Sequence, residues 1–365
     1  MIKSEIGYRR LQNQRIAGDK CEKPDDVVRY LGAIQAQDYH QMLWAIGCRM
    51  QHGVAADIER SIEDRNIVLT WPMRGTIHAV PPESIRGMLQ LLTPRILASD
   101  KRRLKELELT PEIIEQSKEI LIHALKGNKR ISRPVLMELF EEAGIRTTGQ
   151  RGYHLLWHSA QIGLICMGPR EGKQQTFVLL DEWVPPGDDI SREEVLSQLT
   201  KRYYISHGPA SVHDFAWWTG LTLRDARKGL ELAGNQFEPA KIDDRELWYH
   251  SSLSAGNKEI TPGVYLLPGF DEYVLGYKDR SDVLRAEYAK YIIPGGNGVF
   301  MPTIVIDGQV AGIWKRKIKA KGLDIVLELF SAHDDRENDL MAAASKYVEF
   351  MELPLLSVDI QVKIH

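Results

Sequence analysis

Apolar residues fall first at helical spacing. Pro24 to Ile34 (PDDVVRYLGAI) sets Val27, Tyr30, Leu31 and Ile34 on one stripe, with proline at the N-terminal end, and predicts an amphipathic helix. A second helix is predicted from Tyr39 to about Met50, turning Met42, Trp44 and Ile46 inward. The pattern then changes. Val68 to Val80 (VLTWPMRGTIHAV) is rich in β-branched and aromatic residues, and Pro72 and Gly75 are expected to divide it into strand, turn and strand. Two helices followed by a hairpin is the order of a winged helix.

That order recurs without any repeat of letters. RPVLMELFEEAG reads as a helix stopping at Gly144, and Gly152 to Gly163 as another. Leu164–Met167 and Thr176–Leu180 then read as strands on either side of a polar wing, GPREGKQQ. PPGDDI, from Pro185 to Ile190, looks like a linker. A third copy starts with a helix after Ser191. It continues as helix-turn-helix from Ala210 to Thr219 and Thr222 to Leu232, with Gly220 at the turn and a capping box at Thr222 and Asp225. Phe237 to His250 supplies two short strands.

Beyond about Ser254 strands dominate: Val264–Leu267, Tyr273–Tyr277, Thr303–Ile306, Val310–Trp314 and Leu323–Phe330. Asp307-Gly308 marks a hairpin, and a helix from Asp335 to Met351 closes the unit. The expected class is α+β, with tandem winged-helix repeats and a C-terminal β-rich element. The expected division is 1–120, 121–186, 187–254 and 255–365.

A length of 365 residues suits two or three domains, and 43% hydrophobic with 27% charged residues excludes a disordered body. Forty-seven basic against fifty acidic residues leave a net charge of −3, which excludes a uniformly basic coat but not a basic face. Two runs could supply one: Arg95 to Lys105, and Lys315 to Lys321 (KRKIKAK). Taken singly, each reads first as a solvated surface. Arg224, Arg227 and Lys228 share a face of the third candidate recognition helix at i, i+3 and i+4. Cys21, Cys48 and Cys166 are widely separated, which fits free thiols in a reducing compartment. The N-terminus has no apolar signal core and no run is long enough to span a bilayer, so a cytoplasmic protein is expected.

No Walker loop, GxGxxG, GxSxG or HExxH motif is present. His154 and His158 have ligand spacing but no glutamate between them, and a packed or surface pair is the better reading. Trp217-Trp218, beside Phe215, reads as core before it reads as a stacking platform. The glycine-rich stretch Gly295 to Gly298 reads as a flexible turn before a groove probe. The segment AIQAQDYHQM carries more. Asp38 and Gln41 have cap spacing for the helix starting at Tyr39, which leaves Gln35 and Gln37 in the preceding backbone. If that stretch is extended, the two carboxamides point to one side. Caps or plain surface polarity remain the alternative for both.

LGAIQAQDYHQMLWAIGCRM, LTWPMRGTIHAVPPE, YLLPGFDEYVLGYKDRS and VIDGQVAGIWKRK, in this order along nearly the whole chain, resemble the AlkZ/YcaQ-like winged-helix DNA glycosylases. The resemblance implies three tandem winged helices, removal of N7-alkylated purines, and a Gln-x-Gln active-site motif at Gln35 and Gln37. It implies double-stranded DNA carrying alkylated purines as partner; no cofactor, no metal, no membrane and no obligate protein partner are expected. Arg74 and His78, in the hairpin, are candidates for DNA contacts or for packing alone, and Lys315, Arg316 and Lys317 for DNA contacts.

The chemistry is coherent. A purine alkylated at N7 is cationic and departs as a neutral base, so little general-acid help is needed. A carboxamide oxygen can orient the attacking water, and positioning alone contributes greatly. It is not a strong base, so uracil and unmodified adenine should be poor substrates. Gln37 is expected to orient the water and Gln35 to support it. No lysine stands at the motif, so no Schiff-base lyase step is expected. The other readings are a non-catalytic winged-helix regulator or lesion sensor, and a structural protein without DNA binding.

Overall fold

The computed structural model describes residues 3–187, 190–253, 262–296 and 298–363. The chain forms two compact units: Met1–Ile58 with Ser197–His365, and Glu59–Leu196. The expected boundary at Ser254, Asp188 and Asp189 of the linker, and Asn297 of the glycine-rich turn lie outside the described residues.

In the unit Glu59–Leu196, five strands pair in the order Thr76–Val80, Val68–Met73, Ile165–Glu171, Gln174–Leu179, Ile131–Ser132. The two predicted hairpins are therefore joined in one sheet, through Leu69 against Met167. Pro72 does not end its strand, as the sequence suggested. Thr70 pairs with His78 and Met73 with Thr76, so Trp71 and Pro72 together oppose Ile77 in a bulge. A residue with no N–H to give the ladder fits such a bulge. Arg74 (φ 54°) and Gly75 (φ 70°) make the turn. The expected wing loop is also strand, continuing to a tip at Gly172 and Lys173. Helices Ile85–Ser99, Pro111–Leu125, Arg133–Glu142 and Arg151–Gln161, with the shorter Lys101–Glu106 and Leu180–Trp183, belong to the same unit.

In the other unit, helices Pro24–Leu31 and Tyr39–Gly47 flank the short extended segment Ile34–Gln35. The first helix stops before Ile34 because Gly32 takes φ 85°, which turns the chain out of the helix. The second ends at Gly47, short of Met50. Val212–Thr219 and Leu223–Ala233 form the expected helix pair, with Gly220 at φ 76° between them. Thr222 caps as expected, accepting from the Asp225 amide, while the complete reciprocal box is at Ser211 and Asp214.

The C-terminal strands form one sheet in the order Leu355–Val362, Gly322–Leu329, Gln309–Lys319, Thr303–Ile306, Val264–Leu267. The last strand, which lies parallel to Gly322–Leu329, was not anticipated. Tyr273–Tyr277, expected as a strand, contains instead a helical turn, Glu272–Leu275, whose Tyr273 amide is capped by the Asp271 side chain. The segment is wholly buried, so its apolar run had no periodicity to reveal helix or strand.

Helix Tyr39–Gly47 is fixed to this sheet and to the closing helix Glu337–Met351. Trp44 packs edge-on against Tyr347 at 5.1 Å, and its indole N–H donates to the Leu266 carbonyl at 2.7 Å. Trp314 also packs edge-on against Tyr347, at 4.8 Å, and donates to the Leu267 carbonyl. Gly47 is needed there: a Cβ would lie 2.3 Å from the Phe350 ring.

Candidate active site

The two motif glutamines sit between helices Pro24–Leu31 and Tyr39–Gly47, in contrasting surroundings. Gln35 is 7% exposed, in extended backbone, whereas Gln37 is exposed. Asp38 caps the following helix by accepting from the Gln41 amide at 3.1 Å. Gln41 accepts in turn from the Gly269 N–H at 2.9 Å, tying the motif helix to the loop before Glu272.

The Gln35 main-chain N–H donates to Oε1 of Glu272 at 3.3 Å. The Trp218 indole donates to Oε2 at 2.8 Å, and His207 Nε2 lies 3.4 Å from that oxygen. Glu272, Trp218 and His207 are all fully buried. Burial holds the His207 imidazole below its usual range, with Glu272 opposing. Gly276 permits this packing, since a Cβ there would come within 2.8 Å of the His207 ring. The carboxamide Oε1 of Gln35 is shut off from solvent and has no hydrogen-bond partner among the described residues.

A second buried group anchors the neighbouring residue. Arg49 forks onto Asp271 at 2.8 and 2.9 Å and donates also to the Gln14 side chain at 2.8 Å and the Ala45 carbonyl at 2.7 Å. Beyond it, Arg10 stacks over the Tyr277 ring at 3.7 Å and reaches Asp282 at 3.4 Å.

The remaining candidates are placed as follows. Arg316 lies near Asp38 and over the Tyr347 ring, its pKa lowered by burial and partly restored by Asp38. Strand alternation sends Lys315 and Lys317 to the opposite face, where Lys315 pairs with Glu328 at 2.7 Å. Arg224, Arg227 and Lys228 are exposed along one helix, with Lys228 3.8 Å from Glu231. In the other unit, Arg74 is half-buried and donates to Nε2 of His78 at 3.4 Å, while Nδ1 of the fully buried His78 bonds the Thr76 carbonyl at 2.9 Å. His154 pairs with Asp100 at 2.7 Å. Trp218 is core, and its neighbour Trp217 is 41% exposed. Among the described residues, no three His, Cys, Asp or Glu gather as a metal-ligand set.

Glu272 and His207 were missed from the sequence, and Gln41 was seen only as the partner of the Asp38 cap. The one signal available was a pair of acids, Asp271-Glu272, inside an otherwise apolar stretch. Acids are rarely buried unless paired, so such a pair invites a search for partners.

The family described as DNA glycosylase AlkZ-like matches residues 28–350, and the chain belongs to that family. Among individual relatives, the interstrand DNA cross-link repair glycosylase of Streptomyces sahachiroi is 25% identical over 322 residues, covering 84% of this chain and 85% of the relative. The solved structure of the Streptomyces sahachiroi DNA glycosylase AlkZ superposes with a TM-score of 0.82 at 23% identity, covering 99% of both chains. The α+β class expected from the sequence is therefore the class of the fold, and the helix-turn-helix and hairpin order is consistent with winged helices.

Proposed function

We propose that the protein is a monofunctional DNA glycosylase that hydrolyses the N-glycosidic bond of cationic, N7-alkylated purines in duplex DNA. The observation that carries this is the unmet acceptor of Gln35, Oε1, two residues before the exposed Gln37. A buried acceptor without a donor is costly, so it favours a bound donor such as a water hydrogen. Gln37 orients the attacking water, and Gln35 supplies the second contact. Neither carboxamide takes a proton at neutral pH. The charged purine supplies its own leaving-group activation, and the site contributes position.

DNA contacts come from Arg224, Arg227, Lys228 and the strand bearing Lys315, Arg316 and Lys317, with Arg74 in the other unit. His78, being buried, acts through Arg74 by holding its guanidinium. The tandem winged-helix division is part of this reading. The Streptomyces relative carries the name of a cross-link repair glycosylase, and a cross-linked N7 purine is activated by the same positive charge.

Alkylated plasmid is incubated with the protein and then treated with mild alkali. Strand breaks support the glycosylase. Retention of the plasmid without breaks supports a non-catalytic lesion sensor and defeats the proposal.

A further inference from the structure

An open cleft of about 500 Å³ in the unit Glu59–Leu196 is lined by Arg133, Met137, Thr147, Gln150 and Tyr153. None of these side chains is acidic, and three of them, Arg133, Gln150 and Tyr153, keep a donor free. The Gln150 carboxamide oxygen already accepts from Arg103 at 2.8 Å, which leaves its NH₂ group to donate. Tyr153, 38% exposed, accepts from the Trp71 indole at 3.3 Å, which leaves its own O–H to donate. Arg133 is exposed and, among the described residues, has neither a carboxylate nor a hydrogen-bond partner. Neighbouring cations are paired, Arg146 with Glu108 and Arg103 with Glu106. The nearby carboxylate of Glu141 is occupied by the amide and hydroxyl of Thr147.

Arg133 also opens its helix, where the backbone dipole disfavours a cation. Its placement works against helix stability and calls for another purpose. Gly152 keeps the cleft walls close, since a Cβ there would lie 2.2 Å from Met137 Sδ and 2.9 Å from the Thr147 Cβ. Tyr153 and Trp157 occupy one face of helix Arg151–Gln161. Trp157 donates to the Gly75 carbonyl at 3.2 Å, so the turn carrying Arg74 lies one helical turn along from the cleft.

Three free donors, one of them an unpaired guanidinium, in a lining without a carboxylate suit a ligand that is anionic and accepts hydrogen bonds. We infer that this cleft binds a backbone phosphodiester of duplex DNA, with Arg133 as its charge partner and Gln150 and Tyr153 as neutral donors. The inference rests on the proposed function for the identity of the polymer. It adds a backbone-anchoring site to that reading.

The test is fluorescence anisotropy of the full chain with an undamaged and an alkylated duplex, across a salt series. Arg133→Ala is expected to weaken both duplexes several-fold and equally, and to flatten the log–log salt slope by about one. Arg133→Lys should restore the slope. Gln150→Ala should weaken binding with the slope kept, because it removes no charge. Lys126→Ala, an exposed lysine outside the cleft, should change neither. An unchanged slope in Arg133→Ala, or an equal loss in Lys126→Ala, overturns the site. Release of N7-methylguanine by the wild type is measured in parallel. If the wild type excises nothing and the slope still falls, the glycosylase reading fails and this site stands. If the wild type excises and the slope is unmoved, this site fails alone.

Discussion

The main-chain N–H of Gln35 donates to the carboxylate of Glu272 across 3.3 Å, in a pocket where the acid is fully buried. The bond holds the motif by its backbone and leaves the Gln35 side chain free for other work. Glu272→Gln keeps one acceptor oxygen but sets an NH₂ group against one of two incoming donors. Single-turnover excision should fall about tenfold or more, with DNA affinity unchanged, since misplacement alone can reduce rate strongly. Trp218→Phe removes the other donor and leaves Gln35 bonded. It should lower thermal stability, leaving about 1–3 kcal/mol of unmet hydrogen bonding, while the rate survives. A full rate in Glu272→Gln would separate Gln35 from Glu272.

The fork of Arg49 onto Asp271 fixes the residue before Glu272. Both partners are buried, and the Asp271 side chain also caps the Glu272–Leu275 turn. Arg49→Met leaves that carboxylate unpaired and should cost about 3–5 kcal/mol, as removal of one member of a buried pair does. Denaturant unfolding measures it. A midpoint within error of wild type would show that the network is not what holds the turn.

His207 gives the stability a pH dependence of defined sign. Burial lowers its pKa in the folded protein from 6.5, so the unfolded chain binds the proton more readily. The contribution is fully present above the unfolded value and is lost as pH falls from there through the folded value. Melting temperature should therefore drop below about pH 6.5 in the wild type. The drop should be shallower in His207→Gln, and parallel curves would remove His207 as its source.

Cysteine reactivity follows burial. The Cys48 thiol is pushed up to about 11 by burial, against the pull of Arg49, and burial raises that of Cys166 as well. Iodoacetamide at pH 8 on the folded protein should modify neither at a useful rate, while half-buried Cys21 reacts slowly. Mass spectrometry of peptides reads the sites, and rapid modification of Cys166 would contradict its burial.

Much of the fold was legible because local chemistry and tertiary structure agree. Asp38 caps where the spacing placed a cap, and Asp307-Gly308 turns the chain with φ 50° and 77°. The reading slipped where context outweighed local pattern. Pro72 stays within a strand by occupying a bulge, and Tyr273–Tyr277 is too buried for its period to show. Leu355–Val362 depends on a parallel neighbour distant in sequence. Gln35 and Gln37 could be singled out by their place before a capped helix. Glu272 showed only as one of two acids in an apolar stretch, because its contact with Gln35 joins positions 237 apart in the chain.

The most direct test of the central claim is single-turnover release of N7-methylguanine from duplex DNA by the wild type, Gln35→Ala, Gln37→Ala and the double variant. The account predicts a loss of about 10²-fold or more for Gln37→Ala and a clear loss for Gln35→Ala, with unaltered DNA affinity. Wild-type rates in both single variants would contradict it.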